Sequence, residues 1–186
     1  MRMKIISCFV LFLLPAICTA SENALIVNSE CVNEKAQGPY AVKTQSGQVR
    51  ISGHYADGSR DGDFTFFDPE GNRIILLPYR NGFIHGTVTA WHSDGSDAEP
   101  EPQLKLVSDI EGGFAIGRYQ TWYENGVQRS SFELENGVIK SAEIRNTDGA
   151  VMDIKALSEF LNADIESDFG YYAQLEQVLD SFPPQC

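Results

Sequence analysis

Histidine, cysteine and basic side chains are scarce in this 186-residue chain, and each shortage removes a class of function. The three histidines, His54, His85 and His92, have no metal-ligand neighbour at His-x-x-x-His spacing. No Gly-x-Ser-x-Gly elbow is present, and no cysteine lies in a catalytic signature. Lys and Arg number 14 against 26 Asp and Glu, a net charge of −12. A chain this acidic lacks the basic footprint that nucleic-acid phosphates or anionic lipid heads require. Beyond residue 17 there is no long apolar run, so no integral membrane span is expected after the N-terminus.

The N-terminus is different. Met1-Arg2-Met3-Lys4 is followed by an apolar run from Ile5 to Ile17 and a small pair, Thr19-Ala20. These are the parts of a secretory signal, with residues 1–20 removed and the mature chain beginning near Ser21. Cys18 follows Ile17 and Cys8 comes too early, a placement that does not suit lipidation. Arg2 and Lys4 leave with the signal, so 12 basic side chains face 26 acidic ones and the mature charge is −14. The expected location is exported, with the periplasm first and the extracellular space or the outer membrane as alternatives. Cys31 and Cys186 remain, one near each end. An intramolecular disulfide is the expected reading in an oxidising compartment. Unpaired thiols or an intermolecular link are the alternatives. Closing so long a loop is worth about 4–5 kcal/mol on chain entropy.

What the chain has in quantity is glycine in a fixed frame. Gly38, Gly62, Gly86 and Gly117 each open a unit, and Ser141 opens a fifth. A second glycine falls nine residues on, at Gly47, Gly71, Gly95 and Gly126. A third falls eleven later, at Gly58, Gly82 and Gly137, and the next unit begins four after that. The third unit alone is longer, by seven residues, within the acidic, proline-rich stretch from Ser96 to Gln103. That stretch reads as an exposed, lengthened hairpin tip. Fixed periods in the twenties are the mark of repeat architectures.

Each unit reads as two short strands between tight turns. Asp57-Gly58, Asn81-Gly82, Asn125-Gly126 and Asn136-Gly137 are hairpin signals, because glycine accepts positive φ without strain. Tyr40, Phe64, Val88 and Tyr119 recur at one position, and Tyr55, Tyr79, Ile110 and Leu134 at another. After Gly149 the period becomes helical: Ile154, Leu157, Phe160, Leu161 and Ile165, then Phe169, Tyr172, Leu175, Val178, Leu179 and Phe182. One or two amphipathic helices are expected, with a break at Gly170 and a stop at Pro183-Pro184. The fold class is therefore mainly β, a repeat-built antiparallel meander of about five hairpins capped by a C-terminal α-helical segment. The segments are 1–20 (signal), 21–37 (lead), 38–149 (repeats) and 150–186 (helical). The helix is expected to cover a sheet face or edge.

Tyr55-Ala56-Asp57-Gly58-Ser59-Arg60-Asp61-Gly62 and Tyr79-Arg80-Asn81-Gly82-Phe83-Ile84-His85-Gly86 resemble the MORN repeat, a Tyr-x-x-Gly-x-x-x-Gly core. Phe67…Gly71, Trp91…Gly95 and Trp122…Gly126 supply its later aromatic and glycine. The run Gly117–Gly126 is most similar to bacterial MORN-variant proteins often labelled YwqK-family antitoxins. The likeness covers residues 38–149. It departs from the usual pattern where Phe64, Val88 and Tyr119 stand in place of a glycine. The resemblance implies a β-meander scaffold used for binding, with no catalytic residues.

Phe67, Trp91 and Trp122 share one repeat position, as either a core ladder or a binding row, and Tyr123 follows Trp122. Alternation along a strand sends Trp122 and Tyr123 to opposite faces. Asp57–Asp63 lacks the glutamate of a calcium loop, and Asp97, Glu99 and Glu101 read as a solvated acidic loop. No metal or other cofactor is expected. The expected function is an exported, non-catalytic module binding an envelope or secreted protein. Cell-wall polysaccharide binding through the repeat aromatics, and an antitoxin or immunity role, are the alternatives.

Overall fold

The computed structural model describes residues 24–92, 103–135, 138–153 and 166–186, with Lys155, Leu157 and Glu159 between them. The leader, the Ser96–Pro102 insertion and Asp97, Glu99 and Glu101 lie outside the described residues. So do Gly95, Gly137, Ile154, Phe160, Leu161 and Ile165.

Among the described residues twelve strands form one antiparallel sheet. They are β1 (Leu25–Val32), β2 (Lys35–Thr44), β3 (Val49–Ala56), β4 (Ser59–Arg60), β5 (Gly62–Phe67), β6 (Arg73–Arg80), β7 (Phe83–Ile84), β8 (Gly86–Trp91), β9 (Leu104–Glu111), β10 (Phe114–Trp122), β11 (Gln128–Glu135) and β12 (Val138–Ile144). Neighbours in sequence are neighbours in space, so the sheet is a meander running from β1 to β12. The short pieces β4 and β7 lead into β5 and β8. They break off where the Asp61 and His85 amides turn back to the His54 and Pro78 carbonyls, at 3.0 and 2.8 Å.

Two kinds of turn join the strands, one on each rim. On one rim the pairs Asp57-Gly58, Asn81-Gly82 and Gly112-Gly113 hold positive φ at both positions, the twist-matched hairpin turn. The N–H of Gly58, Gly82 and Gly113 then donates to the carbonyl of Ala36, Arg60 and Ile84, at 2.9, 2.9 and 3.0 Å. Each rim turn is thereby bonded to the one before it. The lead segment joins this scheme: Asn33-Glu34 makes the same turn at φ 51° and 63°, so a β1–β2 hairpin precedes Gly38. Glutamate at that second position hides the turn from a glycine-based reading.

Side chains on one face build ladders from strand to strand. In one, Tyr40 lies opposite Gly53, Phe64 opposite Leu77, Val88 opposite Ser108 and Tyr119 opposite Phe132. Large and small residues alternate so that neighbouring layers interdigitate. Gly53, outside the glycine frame, lies beneath the Phe64 ring; a Cβ added there would lie 2.5 Å from it. A parallel ladder runs Val42, Ile51, Phe66, Ile75, Ala90 and Leu106, all buried. It turns polar at Thr121 and Ser130, whose hydroxyls are 2.7 Å apart.

A helix, α1 (Glu166–Ser181), lies on this face and runs through Gly170 without a break. Tyr172, Leu175 and Leu179, at helical spacing, enter the core; each buried side chain of this size is worth about 1.5–3 kcal/mol. The helix traverses the sheet back toward β1. Tyr171 stacks under the Lys105 ammonium, Glu176 accepts the Tyr79 hydroxyl at 3.3 Å, and Asp180 pairs with Arg60. Arg60 supplies the positive charge that the helix C-terminus favours and its own last turn lacks. Beyond Ser181 the tail crosses to the first hairpin. The Tyr40 hydroxyl donates to the Phe182 carbonyl, the Gln185 amide to Ser29, and Cys186 is joined to Cys31 by a disulfide, Cα atoms 5.7 Å apart.

On the opposite face Asp109 steadies β10. Its carboxylate accepts Thr87 Oγ1 at 2.8 Å and both Nε and the backbone amide of Arg118, at 3.0 and 3.3 Å. Burial alone raises its pKa; the Arg118 and Thr87 hydrogen bonds outweigh that and hold the carboxyl below its usual range.

Gly53→Ala lowers the unfolding free energy by about 1–3 kcal/mol through overpacking against Phe64, measured by denaturant titration; an unchanged midpoint contradicts the ladder. Because the folded Asp109 pKa is depressed, its stabilisation is present above the ordinary carboxylate pKa of about 4 and lost as pH falls through the folded value. Asp109→Asn is therefore less stable than the native chain near neutrality, and the gap closes on acidification. A gap that is constant with pH counts against the ionised pair.

Candidate binding cleft

The second rim carries the loops centred on Gly47, Gly71, Gly126 and Gly149, each a tight loop closed by a glycine in the left-handed region. At Tyr123–Val127 the Tyr123 amide meets the Val127 carbonyl at 3.0 Å and the Gly126 amide returns to Tyr123 at 2.9 Å. The neighbouring loop at Asn146–Ala150 repeats the same two bonds, at 3.0 and 2.9 Å. The two loops are laced together. Tyr123 Oη donates to the Arg145 carbonyl and Asn125 Nδ2 to the Thr147 carbonyl, both at 2.9 Å.

Between these loops and the ends of β9 and β10 lies a cleft of about 410 Å³. Its floor is Leu106 and Thr121, both buried. Its walls are His92, Trp122, Tyr123 and Arg129, with Lys105, Glu124, Asn125 and Thr147 at the mouth. A His92 ring nitrogen lies 2.9 Å from the Trp122 carbonyl and fixes the wall. The Arg129 guanidinium sits 5.6 Å from the Tyr123 ring centre. The cleft gathers two cations, Lys105 and Arg129, against one carboxylate, Glu124, in a chain that is acidic as a whole.

Trp122 and Tyr123 do not face opposite ways. β10 ends at Trp122 and Tyr123 opens the loop that follows, so strand alternation does not carry across the pair, and both rings line one cavity. The register shift between Thr121 and Trp122 brings Trp122 to the cleft beside Thr121. The row Phe67, Trp91 and Trp122 is likewise not the core ladder, which is built from Tyr40, Phe64 and Tyr119 with Tyr55 and Tyr79. The row lies at the strand ends, where α1 divides it. Trp91 is buried under Arg73, 4.7 Å from its ring centre, beside a small cavity of about 160 Å³ shared with Tyr171 and Tyr172. Phe67 faces a separate hollow with Arg50, Val178 and Phe182. Only Trp122 of the three opens on the large cleft. Lys105 and Arg129 escaped the sequence reading because they join the site from β9 and β11 and occupy no recurring frame position.

The arrangement suits binding by stacking and charge. Among the described residues no group of three His, Cys, Asp or Glu side chains could hold a metal ion. Asp57 is spent on its turn and on Lys35, 3.3 Å away. Burial, joined by the Tyr55 and Glu176 charges respectively, pushes the Tyr40 and Tyr79 hydroxyls above their ordinary range. Both belong to the clamp under α1. No helix among the described residues is long and apolar enough to cross a membrane. No protein-family model matches the chain, and no curated protein matches its sequence.

Trp91 and Trp122 are the only tryptophans, so their environments can be read separately. With Trp91→Phe the remaining fluorescence is readily quenched by acrylamide; with Trp122→Phe it is shielded. Equal quenching of the two variants contradicts the assigned exposures.

Proposed function

We propose that this protein is an exported, non-catalytic binding module of the MORN-like type, built from about five hairpin units, that holds a partner protein of the cell envelope in the Trp122 cleft. The observation that carries this reading is the pairing of Trp122 and Tyr123 over a buried floor with Arg129 stacked beside them. Tryptophan, tyrosine and arginine are the residue types that dominate protein-binding energy once a partner shields them from water. A cleft of about 410 Å³ admits one or two side chains of a partner. The Cys31–Cys186 bridge supports an oxidising compartment, and the periplasm is the compartment this reading adopts. An immunity role toward an exported toxin is one form of the same interaction.

A polysaccharide ligand is the second reading. The feature in its favour is the company the aromatics keep: Asn125 and Thr147 offer amide and hydroxyl groups at the mouth, as a stacked sugar ring needs.

The test is affinity capture from an envelope extract with residues 21–186, run beside Trp122→Ala, together with retention on purified cell-wall polymer. Trp122→Ala weakens the specific partner by about 2 kcal/mol, some thirtyfold. Retention on polymer alone transfers the function to the second reading. Capture indifferent to Trp122, or no reproducible partner of either kind, overturns the cleft as the binding site.

A further inference from the structure

After Gly47, Gly71 and Gly126 the chain runs directly into eight-residue strands, β3, β6 and β11. After Gly149 it does not. Val151 bridges to Arg145 and the Met152 amide reaches the Ile144 carbonyl at 2.9 Å, and there the pairing stops. The residues explain why. Four and six positions after the glycine, the complete strands place Ile51 and Gly53, Ile75 and Leu77, or Ser130 and Phe132 in the ladders of the core face. The same positions after Gly149 are Asp153 and Lys155. Two ions entering that face lose their hydration, at a cost of several kcal/mol each. Asp153 instead starts a helical turn: its carboxylate accepts the Lys155 amide at 3.0 Å and its carbonyl the Leu157 amide at 3.1 Å.

Among the described residues the sheet therefore ends at β12, with β11 as its one neighbour. Among the described residues nothing pairs with the outer side of Val138–Glu143. The direction of the peptide groups is fixed by what surrounds them. The Arg145 amide points inward, to Arg129 at 2.8 Å, and the Ile144 carbonyl points outward, to Met152. Alternation then turns the amide and carbonyl of Ala142 outward. The register shift near Lys140 does not close the edge: β10 carries a comparable shift at Ile116–Tyr119 and is paired on both sides. Ile139 and Val138 stay 38% and 58% exposed beside this edge, with Leu134 of the core face opposite Ile139.

We propose that the outer edge of β12, unpaired among the described residues, takes up an extended strand from a partner polypeptide where the other units have their return strand. The edge itself specifies the occupant. Outward amides and carbonyls at strand spacing are satisfied by another strand and not by a helix or a sugar. The added strand continues the ladder that joins each pair of neighbours from β1 to β12, with alternate apolar side chains beside Ile139, Ala142 and Ile144. This site is separate from the Trp122 cleft and does not depend on it.

The probe is a synthetic peptide with the sequence of the chain's own return strand, residues 128–135, titrated into residues 21–186. Saturable binding is expected, with hydrogen exchange of the Ala142 amide slowed. N-methylation of one alternate set of peptide amides weakens binding about tenfold or more, and methylation of the other set leaves it within about twofold, because a strand on an edge uses only one of its sides. Ala142→Pro removes an outward amide and abolishes uptake, whereas Trp122→Ala leaves uptake intact. No saturable binding, or equal sensitivity to both methylation patterns, overturns the proposal whatever the fate of the proline variant. Self-association through β12 in place of peptide uptake also overturns it, since the occupant is then a second copy. A failure of the Trp122 cleft leaves these results untouched.

Discussion

A sheet one layer thick cannot stand with an apolar face in water, and everything distinctive here answers that constraint. The ladders through Val42, Phe64, Leu77 and Tyr119 are buried in one cluster with Tyr172, Leu175 and Leu179 of α1, and Leu157 packs against it. The cover is fastened at one end. Arg60 with Asp180 and Tyr40 with the Phe182 carbonyl hold its C-terminal end, and the disulfide carries the tail to β1, which no strand flanks on its outer side among the described residues. The bond between residues 155 positions apart thus does two jobs. It shortens the unfolded ensemble, and it clamps the lid to the strand that would otherwise fray first.

The glycine frame reported turns well and faces poorly. Gly58, Gly82, Gly47 and Gly126 sit in left-handed turns where the spacing places them, because positive φ is a local demand and leaves a local trace. The β1–β2 hairpin was illegible because Glu34 fills a position that elsewhere belongs to glycine. Gly53 was illegible for the opposite reason. It is a glycine required by a neighbour's ring, and its partner Phe64 lies on the adjacent strand. Ser108 belongs with it. Its hydroxyl makes no hydrogen bond to the described residues, and its place between Val88 and Tyr119 calls for a small side chain more than a polar one.

The cleft was half legible. Trp122 and Tyr123 stood out by residue type, and strand parity then assigned them to opposite faces. Parity stops one residue early, because β10 ends at Trp122 and Tyr123 belongs to the loop, while the bulge at Thr121–Trp122 turns Trp122 toward Thr121. Lys105, Arg129 and Thr147 could not be read at all, since each comes from a different strand or loop and only the meander brings them to one rim. The aromatic row split for a related reason. Phe67, Trp91 and Trp122 are equivalent in the frame, but α1 crosses the sheet obliquely, from Lys105 back to Tyr40, and so meets each of them differently.

The two ends of the meander are finished differently. Asp153 and Lys155 turn the chain away from the sheet after Met152, because neither can face the core without losing its hydration, and the chain enters a helical turn instead. At the other end the disulfide holds β1 to the tail beyond α1. Among the described residues β12 has β11 as its one strand neighbour, and alternation along it directs the Ala142 peptide groups to the outer side.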